Sequence, residues 1–389
     1  MGNKKIITIT LVVLVYILSV GVSYALFPKT GSQLTASPVG LPLKGSEGKL
    51  VFDPNLPKTE SCPLNGVLYS KQQKNWWEQH RPLGVMVENH TEARPQSGLS
   101  SADVIYEAVA EGGITRFLSI FYCQDGGEAG PVRSARTYFI DFLSEYGNYP
   151  LYAHVGGANQ AGPADALSQL SDYGWTAYND MNQFSIGFPV FWRDYNRFGH
   201  TVATEHTMYS TTDKLLEYAK SSRGLTEVDK KGTLWSKGFV PYTFKEDASS
   251  SKRGATQSIH LEFWASMPDY FADWVYDPLT NLYKRSTGKQ IHLDKDTNKQ
   301  LTSKNIVVLF MQELNANDGY ENNVHLLYVT KGIGKATIFM DGKQIKGTWR
   351  KDSRTSRTLL FDSTGAPVEL NRGLIWFEIL PKDGVVTVK

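Results

Sequence analysis

Short apolar runs broken by glycine-rich junctions dominate the chain from residue 83 to residue 225, and their spacing predicts alternating strands and helices. Strands are expected at 83–88, 103–109, 116–123 and 151–155. Helices are expected at 134–146, 163–171 and 210–222, the last closed by Gly224. In 134–146, Ala135, Phe139, Phe142, Leu143 and Tyr146 recur at the spacing of one helical face. Beyond residue 255 the pattern changes to β-branched and aromatic stretches at 259–264, 274–277, 282–285, 306–312, 324–330, 336–340, 358–361 and 374–380. Asp341-Gly342 and Thr364-Gly365 mark hairpins between them. The expected fold is therefore an α/β domain over residues 59–225 followed by a mostly antiparallel β domain over 226–389, α+β overall. The Ser- and Lys-rich stretch 245–254 reads as an exposed connection.

The N-terminus has a different character. Lys4 and Lys5 precede an uninterrupted apolar run over residues 6–27, roughly 33 Å long if helical and so long enough to cross a bilayer. With both lysines on the cytoplasmic side, the rest of the chain is sent outward. Ser23-Tyr24-Ala25 also fits a small-residue cleavage site. Two outcomes stay open for residues 1–27: a retained single-pass signal anchor, or a signal peptide removed on secretion. Residues 28–58, rich in Pro, Gly, Ser and Thr, read as a flexible linker.

An outward location changes the meaning of the two cysteines, Cys62 and Cys123. In an oxidising compartment they are expected to pair as one disulfide, from the start of the fold to the end of a strand. The formal net charge is +2 with both signs mixed along the chain, which leaves no broad basic face for nucleic acid. Nine tryptophans contribute to an aromatic share of 12%, which leaves room for sugar or peptide recognition although most of these rings are expected in the core.

Candidate chemistry centres on Gly130-Pro131-Val132-Arg133-Ser134-Ala135-Arg136. If the helix starts at Ser134, Arg133 and Arg136 occupy its first turn, where a cation opposes the helix dipole at a cost of about 0.3–1 kcal/mol. A carboxylate or a bound anion is then expected to answer them. A second junction, His154-Val155-Gly156-Gly157, follows a strand and leads toward a helix, an order that presents backbone N–H groups to anions. It is not a P-loop, since Pro163 stands where lysine is required. Arg116, Arg133, Ser134, Arg136, His154, Gly156 and Gly157 form the expected ligand-binding set. Glu107 and Glu111 are read either as acid/base candidates, with His206, or as structural partners of the arginines. Asp194, Arg197, His200, Glu205 and His206 form a polar cluster, but its spacing does not match H-E-x-x-H, and neither a metal nor a cofactor is expected. No G-x-S-x-G or G-x-G-x-x-G motif occurs in a suitable context.

Several of these residues together resemble the YerB family of exported envelope proteins from Gram-positive and related bacteria. The resemblance rests on Arg94-Pro95-Gln96-Ser97-Gly98-Leu99, Glu111-Gly112-Gly113-Ile114-Thr115-Arg116 and Gly130 to Arg136, with further matches at His154 to Gly157, Phe191 to Asp194 and Gly347 to Lys351. It implies an N-terminal and a C-terminal domain and an envelope location, and it implies no activity. Two departures stand out: the chain lacks an N-terminal lipobox cysteine, and it reads Glu205-His206-Thr207 where the family more often has Pro-His-Asn.

Residues and resemblance together lead to three functional expectations. The first is a membrane-tethered exterior protein that holds an anionic or polyhydroxylated wall polymer. The second is an envelope hydrolase or transferase using a Glu/His pair. The third is a scaffold for wall-synthesis proteins.

Overall fold

A computed structural model describes residues 42–44, 49–255, 257–321 and 324–389. The apolar run 6–27 and most of the expected linker lie outside these residues; among the described residues no helix is long and apolar enough to cross a membrane. The last part of that linker is docked on the fold: the backbone N–H of Leu50 donates to Asp125 Oδ2 at 2.7 Å, and Lys49 Nζ donates to Ser101 Oγ at 2.7 Å.

One ten-stranded mixed sheet organises the structure. In chain order its strands are β1 (Leu83–Glu88), β2 (Val104–Glu111), β3 (Ile114–Phe121), β4 (Leu151–His154), β5 (Asp180–Asn182), β6 (Asn305–Met311), β7 (Gly332–Met340), β8 (Lys343–Lys351), β9 (Leu359–Asp362) and β10 (Ile375–Pro381). In space they run β5-β4-β1-β3-β2-β10-β6-β7-β8-β9. The pairs β5–β4, β4–β1, β2–β10 and β10–β6 are parallel, and the others are antiparallel. Parallel pairing of β10 with β2, from Ile375↔Val104 to Ile379↔Ala108, carries the sheet across residue 225, and residues 42–389 form one compact unit.

Each face of this sheet is covered, which is why β1, β6 and β10 are apolar almost throughout rather than alternating. On one face Tyr106, Leu118, Val307 and Phe377 meet Tyr138, Phe139 and Phe142 of helix Thr137–Leu143, together with Trp235 and Tyr242. On the other, Ile105, Phe117, Ile306 and Trp376 meet Ile259, Leu261, Trp274 and Tyr283 from a second, antiparallel sheet that includes Ser258–Glu262, Ala272–Asp277 and Leu282–Thr287. This is the α+β architecture expected, with the antiparallel strands concentrated in the C-terminal half.

Asp341 and Gly342 join β7 to β8, with Met340 facing Lys343 and φ of 54° and 67° at the two turn positions. That two-residue connection needs positive φ at both sites, which Asp-Gly supplies. The expected helices start later than predicted, at Thr137, Ala166 and Thr212. In the last of these, Gly224 (φ 63°) closes the helix as expected. Cys62 and Cys123 form the disulfide, with Cα atoms 5.9 Å apart. Stretch 245–254 is pinned by Lys245 Nζ on Asp341 Oδ2 at 2.6 Å, and the Gly254 N–H donates to Asp341 O at 2.8 Å.

Candidate functional site

The arginine segment does not begin the helix. Residues 130–136 run as an extended strap held from both sides by backbone hydrogen bonds. The Glu88 N–H donates to Pro131 O at 2.9 Å, Val132 N–H to Met208 O at 2.7 Å, Arg133 N–H to Met86 O at 2.9 Å and Ala135 N–H to Gly156 O at 3.0 Å. Arg136 is the N-cap of a seven-residue helix, with φ −136° and ψ 148°. Arg133 therefore lies before the first turn, and the expected opposition to the helix dipole does not apply to it.

Carboxylates answer these cations from within. Glu111, at the end of β2, holds Arg116 Nη2 at 2.8 Å through Oε2 and Arg136 Nη2 through Oε1. The side chains of both arginines are only 6% exposed, against 20% for Glu111. Burial pushes both guanidiniums below their ordinary pKa. Arg116 and Arg136 are therefore spent on an internal clamp rather than presented to a ligand. Arg133 differs: its side chain is 23% exposed, and only Nε is engaged, 3.0 Å from Glu88 Oε1. Neither Nη1 nor Nη2 of Arg133 makes a hydrogen bond to the described residues.

Arg133 and Ser134 line an open cleft of about 540 Å³ together with Val155, Gly156, Gly157, Asn159, Phe184, Arg193, Thr204 and Glu205. The cleft lies beyond the carboxyl ends of β1, β4 and β5, which run parallel to one another. This is where open sheets with parallel strands expose loops for ligands. Phe184 is 75% exposed beside Gly156, whose φ of 57° permits the turn. A Cβ on Gly156 would lie 3.0 Å from the Phe184 ring. Arg193 crosses the mouth, donating from Nη1 to Thr204 O and, at 3.2 Å, to Thr207 Oγ1.

His154 stands apart from the ligand set expected of it. Fully buried, it bonds Gly156 O at 2.6 Å through Nδ1 and Asp180 Oδ1 at 2.6 Å through Nε2, so it braces the glycine turn from behind. Two of the turn's amides are also engaged: the Gly156 N–H donates to Asn182 Oδ1 at 3.1 Å and the Ala158 N–H to Ala135 O at 3.4 Å. Gly156 and Gly157 thus shape the wall of the cleft, with the amides on either side of Gly157 already engaged.

The proposed acid/base set is likewise dispersed. Glu107 is fully buried between the two sheets, where Arg285 Nη2 meets its Oε2 at 2.6 Å and Thr115 Oγ1 donates to its Oε1 at 2.7 Å. Arg285 also reaches Glu378 Oε1 at 3.3 Å, and its guanidinium carbon lies 5.2 Å from the Trp274 ring centroid and 4.7 Å from that of Trp376. Burial, reinforced by the nearby Glu107, pushes the Glu378 carboxyl far up. His206 pairs with neither Glu107 nor Glu111. Its Nδ1 lies 2.8 Å from Glu88 Oε2, and its ring stacks on His90 at 4.6 Å. His200 is exposed, and among the described residues its hydrogen bond is to its own loop, at Phe198 O. Glu88, Phe184 and Arg193 escaped the sequence reading. The available signals were an acid ending an otherwise apolar strand, and unpaired aromatics following Asn182.

Comparison with known proteins places the whole arrangement. Residues 66–226 match the family described as the protein of unknown function (DUF3048) N-terminal domain, and residues 259–377 match its C-terminal domain. Over 329 residues the chain is 27% identical to a Bacillus subtilis (strain 168) protein named "Putative lipoprotein YerB", covering 84% of this chain and 88% of that protein. A crystal structure of the YerB protein from Bacillus subtilis superposes with a TM-score of 0.68 at 25% identity, covering 85% of this chain and 100% of the other.

Proposed function

Since this chain belongs to the YerB-like family of paired DUF3048 domains, we propose that it is an extracytoplasmic, membrane-associated envelope protein that binds an anionic or polyhydroxylated wall polymer in the cleft at Arg133. The lipoprotein name of its Bacillus subtilis relative supports the location. Here residues 6–27 would replace a lipid as the tether, in a single-pass arrangement with the folded part outside.

One observation carries the ligand assignment. Arg133 is the cation of the strap whose terminal nitrogens are left without a partner among the described residues, and it opens into a cleft that also holds Arg193 and the exposed ring of Phe184. Guanidiniums bind carboxylate or phosphate through charge-assisted hydrogen bonds, each contributing about 1.5–3 kcal/mol. An exposed aromatic face supplies a platform for a sugar ring. Ser134 and Asn159 add neutral hydrogen-bonding groups for hydroxyls.

Cosedimentation with purified anionic wall polymer tests the reading. The protein should pellet with the polymer without releasing fragments, and Arg133→Gln should weaken retention by about tenfold or more, given the magnitude above. Equal retention of the folded variant would refute the site. Fragment release abolished by Glu111→Gln would favour a hydrolase instead.

A further inference from the structure

We propose that His90, Glu92 and His206 form a binding site for a divalent cation of the zinc class. Independent of any polymer in the cleft, it uses residues from two separate loops: Thr91–Ala93 follows His90 after β1, and Thr204–His206 precedes the strand Met208–Thr211. One ligand atom from each of the three residues lies within 4.8 Å of the other two. His206 Nε2 is 3.6 Å from Glu92 Oε2, and the two imidazoles face each other at 4.6 Å with 12° between their planes.

Orientation of His206 is the second observation. Its Nδ1 lies 2.8 Å from Glu88 Oε2, a contact that fixes the ring with Nδ1–H donating to the carboxylate. In the neutral ring the lone pair is then on Nε2, the nitrogen 3.6 Å from Glu92 Oε2. Metal-bound histidines are commonly braced through the other ring nitrogen by such a carboxylate, which orients the ring and raises its basicity. Two imidazoles and one carboxylate also form a donor set that zinc uses with an open fourth position.

The remaining two ligands are free to adjust. Glu92 is 55% exposed at its side chain, and the only hydrogen bond that His90 Nδ1 makes to the described residues is accepted from the Glu92 N–H at 3.2 Å. Rotation of the His90 ring out of the stack exchanges that weak bond for a metal bond and gives each nitrogen its own in-plane approach. Two carboxylates flank His206, Glu88 Oε2 at 2.8 Å from Nδ1 and Glu92 Oε2 at 3.6 Å from Nε2.

The test uses the untagged full-length chain, stripped with chelator and titrated with Co²⁺ while visible absorption is followed. One equivalent should bind with ligand-field bands of a four- or five-coordinate site, and Zn²⁺ should displace it. His90→Ala and His206→Ala should each weaken Co²⁺ by at least about tenfold, and Glu88→Gln by about 10–100-fold through loss of the brace. Because His206 is buried, Glu92→Gln provides a variant at an exposed position that should lower affinity with the unfolding temperature of the metal-free chain unchanged. The absence of a one-equivalent Co²⁺ complex would overturn the assignment, and so would Co²⁺ binding that all four variants leave untouched.

Discussion

Replacing Glu111 by Gln discriminates between a structural clamp and a catalytic acid. Glu111 lies 2.8 Å from Arg116 and also contacts Arg136, whose side chain is 6% exposed like that of Arg116. At that separation and an effective dielectric near 20, each pair attracts by about 6 kcal/mol before desolvation is counted. Measured losses when one partner of a buried pair is removed fall at about 3–5 kcal/mol. Gln keeps one acceptor oxygen and turns an N–H toward the second guanidinium, so one cation is orphaned, and Glu111 is partly solvated. The expected cost is therefore at the lower end, about 3 kcal/mol. Equilibrium urea unfolding followed by tryptophan fluorescence should show a midpoint lower by about 1 M for a slope near 3 kcal/mol/M. Adding Arg136→Met to Glu111→Gln should restore part of the loss, because it removes the orphaned charge. A midpoint unchanged by Glu111→Gln would refute the clamp and return Glu111 to the list of reactive acids.

Other parts of the structure make separate predictions. Glu145 accepts from Lys351 Nζ at 2.9 Å, Arg357 Nη1 at 3.0 Å, the Thr358 N–H at 2.8 Å and Tyr106 OH at 2.6 Å. Its burial would raise the carboxyl pKa, but Lys351 and Arg357 outweigh that and draw it down to about 2. A depressed folded value stabilises the protein above the unfolded pKa near 4.5 and loses that contribution as pH falls toward 2, on the order of 3 kcal/mol. Acid unfolding of Glu145→Gln should lack this part of the pH dependence; superposable acid profiles would contradict it. The Cys62–Cys123 disulfide closes a separation of 61 residues, for which loop entropy gives about 4 kcal/mol. Cys62→Ala with Cys123→Ala should show a loss of that order by urea unfolding, and a loss below about 1 kcal/mol would contradict it.

How much of this was legible in the sequence depends on the range of the interaction. Strand 83–88 was readable to the residue because an apolar run buried on both faces is a local signal. Strand β8 was not named, since its outward residues are Lys, Gln and Arg and it is specified by pairing with β7 across the Asp341-Gly342 turn that was. The joining of both halves into one sheet rests on β2 against β10, a pairing between residues about 270 apart in sequence that no local pattern encodes. The same limit governed the site. Arginines near a glycine junction were visible, as was their need for negative partners. Which acid meets which cation is a tertiary fact: Glu111 took Arg116 and Arg136, Glu88 took Arg133 and His206, and Glu107 went to Arg285, far along the chain. Only Arg133 of the expected arginines remained at an open surface, and the helix that was to begin at Ser134 began at Thr137 because the strap's backbone was already bonded to its neighbours.

A crystal structure of residues 42–389 with a soluble fragment of anionic wall polymer tests the central claim most directly. The account predicts the fragment in the cleft, its anionic group on Arg133 and Arg193 and a sugar ring against Phe184, with Glu111 still holding Arg116 and Arg136. A fragment bound elsewhere, with the Arg133 cleft filled only by solvent, would contradict it.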